Sequence, residues 1–281
     1  MYCSADCQKK HWKTHKTLCK TPAERAALRA VEDEAVRRQL CHRRLMSACA
    51  KGDCKIIKEV LEKGADPNYQ EHMDECVTPL ILAAEEGRVE AVKILLAHGA
   101  NVNWVAKDGA FAMYLASQNG HKEVIDLLIA AGADVNCARN ATFTPILLAS
   151  VQGHISVLKT LIAARGDVTF VGRDGSTCLT EAVERNQPEA VGILLAAGAN
   201  ANHAKPNGKT SLWFASMHGM IEVVRALLDG GADPLINNCL DIARQFNHPA
   251  IAALIEDKIE HPHQQPPALS PISPIGNVLR N

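Results

Sequence analysis

Residues 122–136 read KEVIDLLIAAGADVN, a stretch that joins helix-like apolar spacing to a glycine and a short polar turn. The spacing is clearest one period earlier, in VEAVKILLAHGA (89–100). There Val92, Leu95 and Leu96 fall at i, i+3 and i+4 and make one apolar stripe. A glycine directly after such a helix fits a C-cap, where the backbone needs positive φ. The turn returns as GADPN (64–68), GANVN (99–103), GADVN (132–136), RGDVT (165–169), GANAN (198–202) and GADPL (231–235), with starts 35, 33, 33, 33 and 33 residues apart. Composition does not generate five such intervals, so the chain is built from repeats.

Inside each period a short apolar segment such as TPLILAA (78–84) precedes a central glycine: Gly87, Gly120, Gly153 or Gly219. Thr78-Pro79 and Thr144-Pro145 fit a helix start, with a threonine N-cap followed by a proline whose missing N–H has no partner there anyway. Asp108-Gly109, Asp174-Gly175 and Asn207-Gly208 are turn dipeptides. The unit therefore reads turn, short helix, tight loop, longer helix.

Composition agrees. Of 281 residues 47% are apolar, but only 4% are aromatic and alanine is abundant, which suits closely packed helices. The formal net charge of −1 provides no global field toward nucleic acid or membrane. No run of about 18 apolar residues is present, and the lysine- and cysteine-rich N-terminus is not a signal peptide. The ten cysteines include seven scattered singly, Cys41, Cys49, Cys54, Cys76, Cys137, Cys178 and Cys239. That usage points to reduced thiols and a cytoplasmic or nuclear protein.

With TPL, a central glycine and GADVN in fixed register, the 33-residue unit resembles the ankyrin repeat over about 44–258. The resemblance implies an all-α solenoid of about seven helix-turn-helix units with β-hairpin tips, counting terminal units at 45–61 and 239–255. The family's histidine after TPL is replaced throughout, by Ile81, Tyr114, Leu147, Thr180, Trp213 and Asp241. Arg165 stands where other turns carry glycine, and a turn shifted onto Gly166 is the expected accommodation. His121 and His154, after the loop glycine, match a structural histidine of the family.

Units of this kind bury their faces against their neighbours only, and no phosphate loop, paired-carboxylate site or nucleophile elbow accompanies them. Function then falls to protein partners on the concave face and the tips, and a catalytic role is not expected. Tyr69, Trp104, Phe170 and Arg173 at the tips, and Trp213 with Tyr114 on the first-helix row, are the candidate contacts. The rings either meet a partner or pack on the adjacent hairpin.

The N-terminus, MYCSADCQKKHWKTHKTLCK (1–20), carries a different signal. Cys3-x3-Cys7 and His15-x3-Cys19 are soft donors suited to Zn2+, and His15 and Cys19 fall on one helix face. So short a segment has almost no core, and metal would supply its folding energy, on the order of 10 kcal/mol. His11, Cys41 and His42 are further donors or merely exposed helix residues. Tyr2-Cys3-Ser4, Cys7-Gln8, Trp12, His15-Lys16 and Cys19 resemble the second half of a MYND-type zinc finger. The resemblance implies a two-zinc cross-brace in which Cys3 and Cys7 serve one ion, His15 and Cys19 the other. The complementary donors are expected upstream, in a longer native chain; a single zinc on the four donors and a metal-free remnant are the alternatives. It further implies recognition of Pro-x-Leu-x-Pro peptides, with Gln8 and Trp12 as contacts.

Residues 21–43, rich in Ala, Glu, Arg and Leu, read as a helical linker. The proline-rich segment 259–281 contains Pro267-Ala268-Leu269-Ser270-Pro271, which has the form of a finger ligand and makes Pro267, Leu269 and Pro271 a candidate self-ligand. The domain order is thus half-finger (1–20), linker (21–43), repeat array (44–258) and tail (259–281). The expected function is a zinc-binding interaction scaffold. A nucleic-acid regulator, suggested by Lys9, Lys10, Lys13, Lys16 and Lys20, and a targeting arm of an enzyme are the competing classes.

Overall fold

A computed structural model of the protein describes residues 22–70 and 76–261. Fourteen α-helices and one short 3-10 turn account for the regular structure among the described residues. The first helix, α1 (Pro22–Lys51), is long and contributes its C-terminal half to the first unit, where α2 (Cys54–Glu62) pairs with it. Five units of standard form follow: α3 (Pro79–Glu85) with α4 (Val89–Ala97), α5 (Ala112–Asn119) with α6 (Lys122–Ala130), α7 (Pro145–Gln152) with α8 (Ile155–Ala163), α9 (Cys178–Glu184) with α10 (Pro188–Ala196), and α11 (Ser211–Met217) with α12 (Ile221–Asp229). The seventh unit is α13 (Cys239–Gln245) with α14 (Pro249–Glu260).

Packing follows from that order. The first helices of successive units stack on one another, α1 on α3, then α5, α7, α9, α11 and α13. The second helices form a parallel row from α2 to α14. One continuous apolar core runs between the rows, with Leu80, Val92, Leu95, Ile125, Leu128, Leu158, Leu161, Val191 and Leu194 all buried. This is a one-dimensional repeat stack, in which each unit's stability depends on its neighbours.

Local chemistry explains the helix ends. Thr78, Thr144 and Thr210 each accept a backbone N–H three residues on, and Thr177 forms a reciprocal capping box with Thr180. The central loop has a stricter requirement. Gly120 takes φ 79°, and a Cβ there would lie 2.7 Å from Nδ1 of His154, whose Nε2 reaches the Gln118 carbonyl at 3.0 Å. Glycine is needed for both its backbone conformation and the approach of the next unit's ring. His121 on the Glu85 carbonyl and His248 on that of Met217 repeat the arrangement, so these histidines tie adjacent units together.

The turn at RGDVT differs from expectation. Arg165 itself takes φ 65°, while Gly166 does not have positive φ. Gly166 N–H bonds to the Leu161 carbonyl at 2.8 Å, as Ala133 does to Leu128 at 2.9 Å. The helix-ending hydrogen bond thus fixes the register, and Arg165 accepts a conformation that disfavours a side chain.

Candidate interaction surface

The tips between units are built from turns, with isolated antiparallel bridges pairing Arg139 with Phe143 and Ala204 with Thr210. Asparagine side chains lock one tip to the next. Asn103 donates to the Gly132 carbonyl and accepts from Asp134 N–H; Asn136 does the same with Arg165 and Asp167; Asn68 and Asn202 repeat the pattern. Each tip is thereby held as a platform for whatever its outer side chains contact.

The structure sorts the sequence-selected aromatic residues by their surroundings. Tyr69 is half-buried and stacks on His42 of α1, with ring centroids 4.2 Å apart. His42 Nε2 accepts the Asp66 N–H at 3.1 Å, so this ring is committed inside the fold. Burial pushes the His42 pKa below its ordinary value, with Arg38 adding to the shift and Asp66 opposing it. Trp104 is half-buried and its indole N–H donates to the Cys76 carbonyl at 3.1 Å. Phe170 is half-buried and Arg173 exposed. Tyr114 is buried beneath Arg139, whose guanidinium sits 5.1 Å from the ring centre and bonds the hydroxyl at 3.3 Å. Arg139 also pairs with Asp108 at 2.7 Å, so the second and third tips are clamped together.

Sequence reasoning did not single out the apolar residues that the tips leave in solvent. Val105 is 46% exposed, Phe143 41% and Val171 49%, one on each of three successive tips. The signal that could have found them is position: each lies between the ladder asparagine, or its Thr169 equivalent, and the next helix, where no core face is available.

Trp213 has a distinct setting on the first-helix row. Lys209 Nζ lies 4.6 Å from its ring centre, and a shallow, open concavity lies beside it. Phe214, Ser211, Thr180, Lys205 and Lys209 line that space with Trp213. Lys205 is bound to Glu181 at 3.2 Å and to Glu184. Burial lowers its affinity for a proton, but the two carboxylates outweigh this and the net shift is upward.

Among the described residues no group of three or more His, Cys, Asp or Glu side chains is placed to hold a metal ion. The core thiols are not activated either. Burial raises the pKa of Cys49 and Cys178 to about 12 and that of Cys239 to about 11, which keeps them protonated. No helix among the described residues is long and apolar enough to cross a membrane. Cys3, Cys7, Gln8, Trp12, His15 and Cys19, and Pro267, Leu269 and Pro271, lie outside the described residues.

The family model for ankyrin repeats matches residues 45–139 and 146–238. The chain belongs to the ankyrin-repeat family. A second model, for the MYND finger, matches residues 1–19, so a part of that finger stands before the ankyrin array. The chain is similar to curated proteins over short stretches. The chain is 38% identical over 90 residues to the 2-5A-dependent ribonuclease of Mus musculus, covering 32% of this chain and 11% of that protein. It is 41% identical over 64 residues to SH3 and multiple ankyrin repeat domains protein 1 of Homo sapiens, covering 22% and 3%. The chain thus matches a small fraction of either relative's length. The ankyrin assignment explains why the tip asparagines and loop histidines recur at one-unit spacing: both serve the contact between units.

Proposed function

We propose that the chain is a non-catalytic, zinc-binding adaptor that joins two kinds of protein partner. The ankyrin array engages one through its tips and concave face. The observation that carries this reading is the row of solvent-exposed Val105, Phe143 and Val171 on tips otherwise locked by hydrogen bonds. Exposed apolar side chains held on a rigid platform lose little freedom on binding. Phe170, Arg173 and Trp104 flank the row as further contacts, while the Tyr69 ring, stacked on His42, stays within the fold.

The N-terminal segment supplies the second engagement. Three thiols and one imidazole are a donor set that fits Zn2+, with Cys3 and Cys7 on one ion and His15 and Cys19 on another in a complete finger. The metal supplies folding energy to a segment that lacks a core. Gln8 and Trp12 then face a proline-rich peptide of the Pro-x-Leu-x-Pro form, and Pro267, Leu269 and Pro271 present the same form within this chain.

Cross-linking of partners in cells to three full-length chains tests this reading. The unaltered chain should capture two sets of proteins. Phe143→Asp with Val171→Asp should lose one set, and Gln8→Ala with Trp12→Ala the other. Partner sets that respond to neither pair of changes would remove the two-surface adaptor from consideration.

A further inference from the structure

Two kinds of polar tie join neighbouring units, and they are not spread evenly along the array. At the tips, Asn68, Asn103, Asn136 and Asn202 each bond to the turn that follows the next second helix. In the loops, a side chain of one unit bonds a carbonyl of the unit before it: Arg88 to Ala50, His121 to Glu85, His154 to Gln118 and His248 to Met217. The joint between the fourth unit (α7 and α8) and the fifth (α9 and α10) has neither tie among the described residues. Thr169 occupies the ladder position and turns its hydroxyl back onto Asp167. Gln187 occupies the loop position and makes no side-chain hydrogen bond. The following joint has Met220 in its loop but keeps the ladder bonds of Asn202.

The fourth unit still has the shape that a loop histidine needs. Gly153 takes φ 70°, as Gly120 takes 79° beneath His154, and neither has a Cβ to obstruct a ring. Over Gly153, however, lies the amide of Gln187, whose Oε1 a Cβ would meet at 2.6 Å. Besides the apolar faces of α7 on α9 and α8 on α10, the joint has the ion pair of Lys159 with Glu189 at 3.6 Å. Both side chains are exposed, so this pair contributes little.

We infer that the array opens as two cooperative blocks, units one to four and units five to seven, and that the boundary is the joint between α8 and α9. In a stack each unit is held by its neighbours alone, so partial opening occurs where the coupling between neighbours is weakest. The ties on either side place the boundary. Asn136 accepts the Asp167 N–H and holds that turn to the first block. Beyond it, His203 bonds the Gly175 carbonyl at 2.9 Å, and Lys205 bonds Glu181 and Glu184. The tips before α9 and α11 therefore move with the second block. The boundary falls just after Asp167, close to Arg165, whose φ of 65° already disfavours a side chain.

This boundary divides the exposed apolar row, with Val105 and Phe143 on the first block and Val171 on the second. On the adaptor reading, opening separates Val171 from the other two, and a partner that spans the row holds the joint shut. The two-block inference itself does not rest on that reading.

Hydrogen exchange of the full-length protein, read by mass spectrometry without any partner, tests the inference. Amides of α9 to α12 should exchange as one group, about tenfold or more faster than those of α3 to α8. Gln187→His places an imidazole over Gly153, with the Val151 carbonyl 36 residues before it, as Glu85 is before His121. This change should slow the α9 to α12 group about fivefold or more and leave α3 to α8 within about twofold. Thr169→Asn should do the same from the tip side, so the result does not hang on one variant. A single exchange rate from α3 to α12 overturns the inference, and so does a gradual rise toward the C-terminal unit with no step between α8 and α9. A step that neither variant reduces also overturns it, because the missing ties would then not set the boundary. None of these outcomes bears on which proteins the tips capture, so the adaptor reading stands or falls on its own test.

Discussion

Thr169 gives its hydroxyl to Asp167, at 2.7 Å, inside its own turn. At the equivalent place Asn68, Asn103, Asn136 and Asn202 reach across to the next tip with two hydrogen bonds each. The joint between the units ending in α8 and α10 thus lacks a link that its neighbours have. Thr169→Asn should restore a donor to the Gly198 carbonyl and an acceptor for Asn200 N–H. Two neutral hydrogen bonds at about 0.5–1.5 kcal/mol each predict a gain of about 1–3 kcal/mol. Urea denaturation should show a raised midpoint with an unchanged slope. An unchanged midpoint would mean that this joint does not limit the stability of the stack.

Gly120 and His154 should be strongly coupled. Gly120→Ala places a side chain at φ 79° and 2.7 Å from the imidazole, at a cost of about 1–3 kcal/mol from backbone strain before the clash is counted. His154→Ala loses the bond to the Gln118 carbonyl, about 1 kcal/mol. With both changes the clash is gone, so the double variant should be less damaged than the sum, by about 1 kcal/mol or more. Strict additivity in the double-mutant cycle would show that the ring moves aside freely.

The period was legible from sequence because each unit satisfies its own local needs: a threonine cap, a loop glycine, a positive-φ residue after the second helix. What stayed hidden are choices made between units. Arg165 keeps the register because the hydrogen bond of Gly166 to Leu161 dictates it, a constraint that single-residue preference does not reveal. Tyr69, Trp104 and Tyr114 look alike as tip or row aromatics, yet His42, the Cys76 carbonyl and Arg139, each about one unit away, decide their surroundings.

His42 predicts an acid-sensitive joint between α1 and the first turn. Its Nε2 accepts a backbone N–H from Asp66, so the ring serves in its neutral form. Burial lowers the folded-state pKa below the unfolded value of about 6.5. The unfolded chain then binds the proton more readily between the two values. The contribution is fully present above about pH 6.5 and is lost as pH falls through the folded pKa. His42→Gln keeps an acceptor without the titration. Denaturation midpoints of the unaltered chain should fall more than those of the variant between pH 7.5 and pH 5; parallel curves would assign the acid sensitivity elsewhere.

Thiol labelling separates the metal segment from the core. Cys49 and Cys178, with pKa about 12, and Cys239, about 11, are buried and almost wholly protonated at pH 8. An alkylating agent should reach them only when the stack opens, and mass spectrometry should find them unmodified in native protein. Cys54 and Cys76 are half-buried and should react measurably faster. If Cys3, Cys7 and Cys19 hold zinc, they should resist labelling until a chelator is added and then react together, with no change at the three core thiols or in the unfolding midpoint of the array. That independence follows from the fold, because each unit of the stack buries its own face against its neighbours without help from a metal. Labelling of Cys178 on chelation would show that the array depends on the bound metal. Equal labelling of Cys3 and Cys19 before and after chelation would show that these residues hold none.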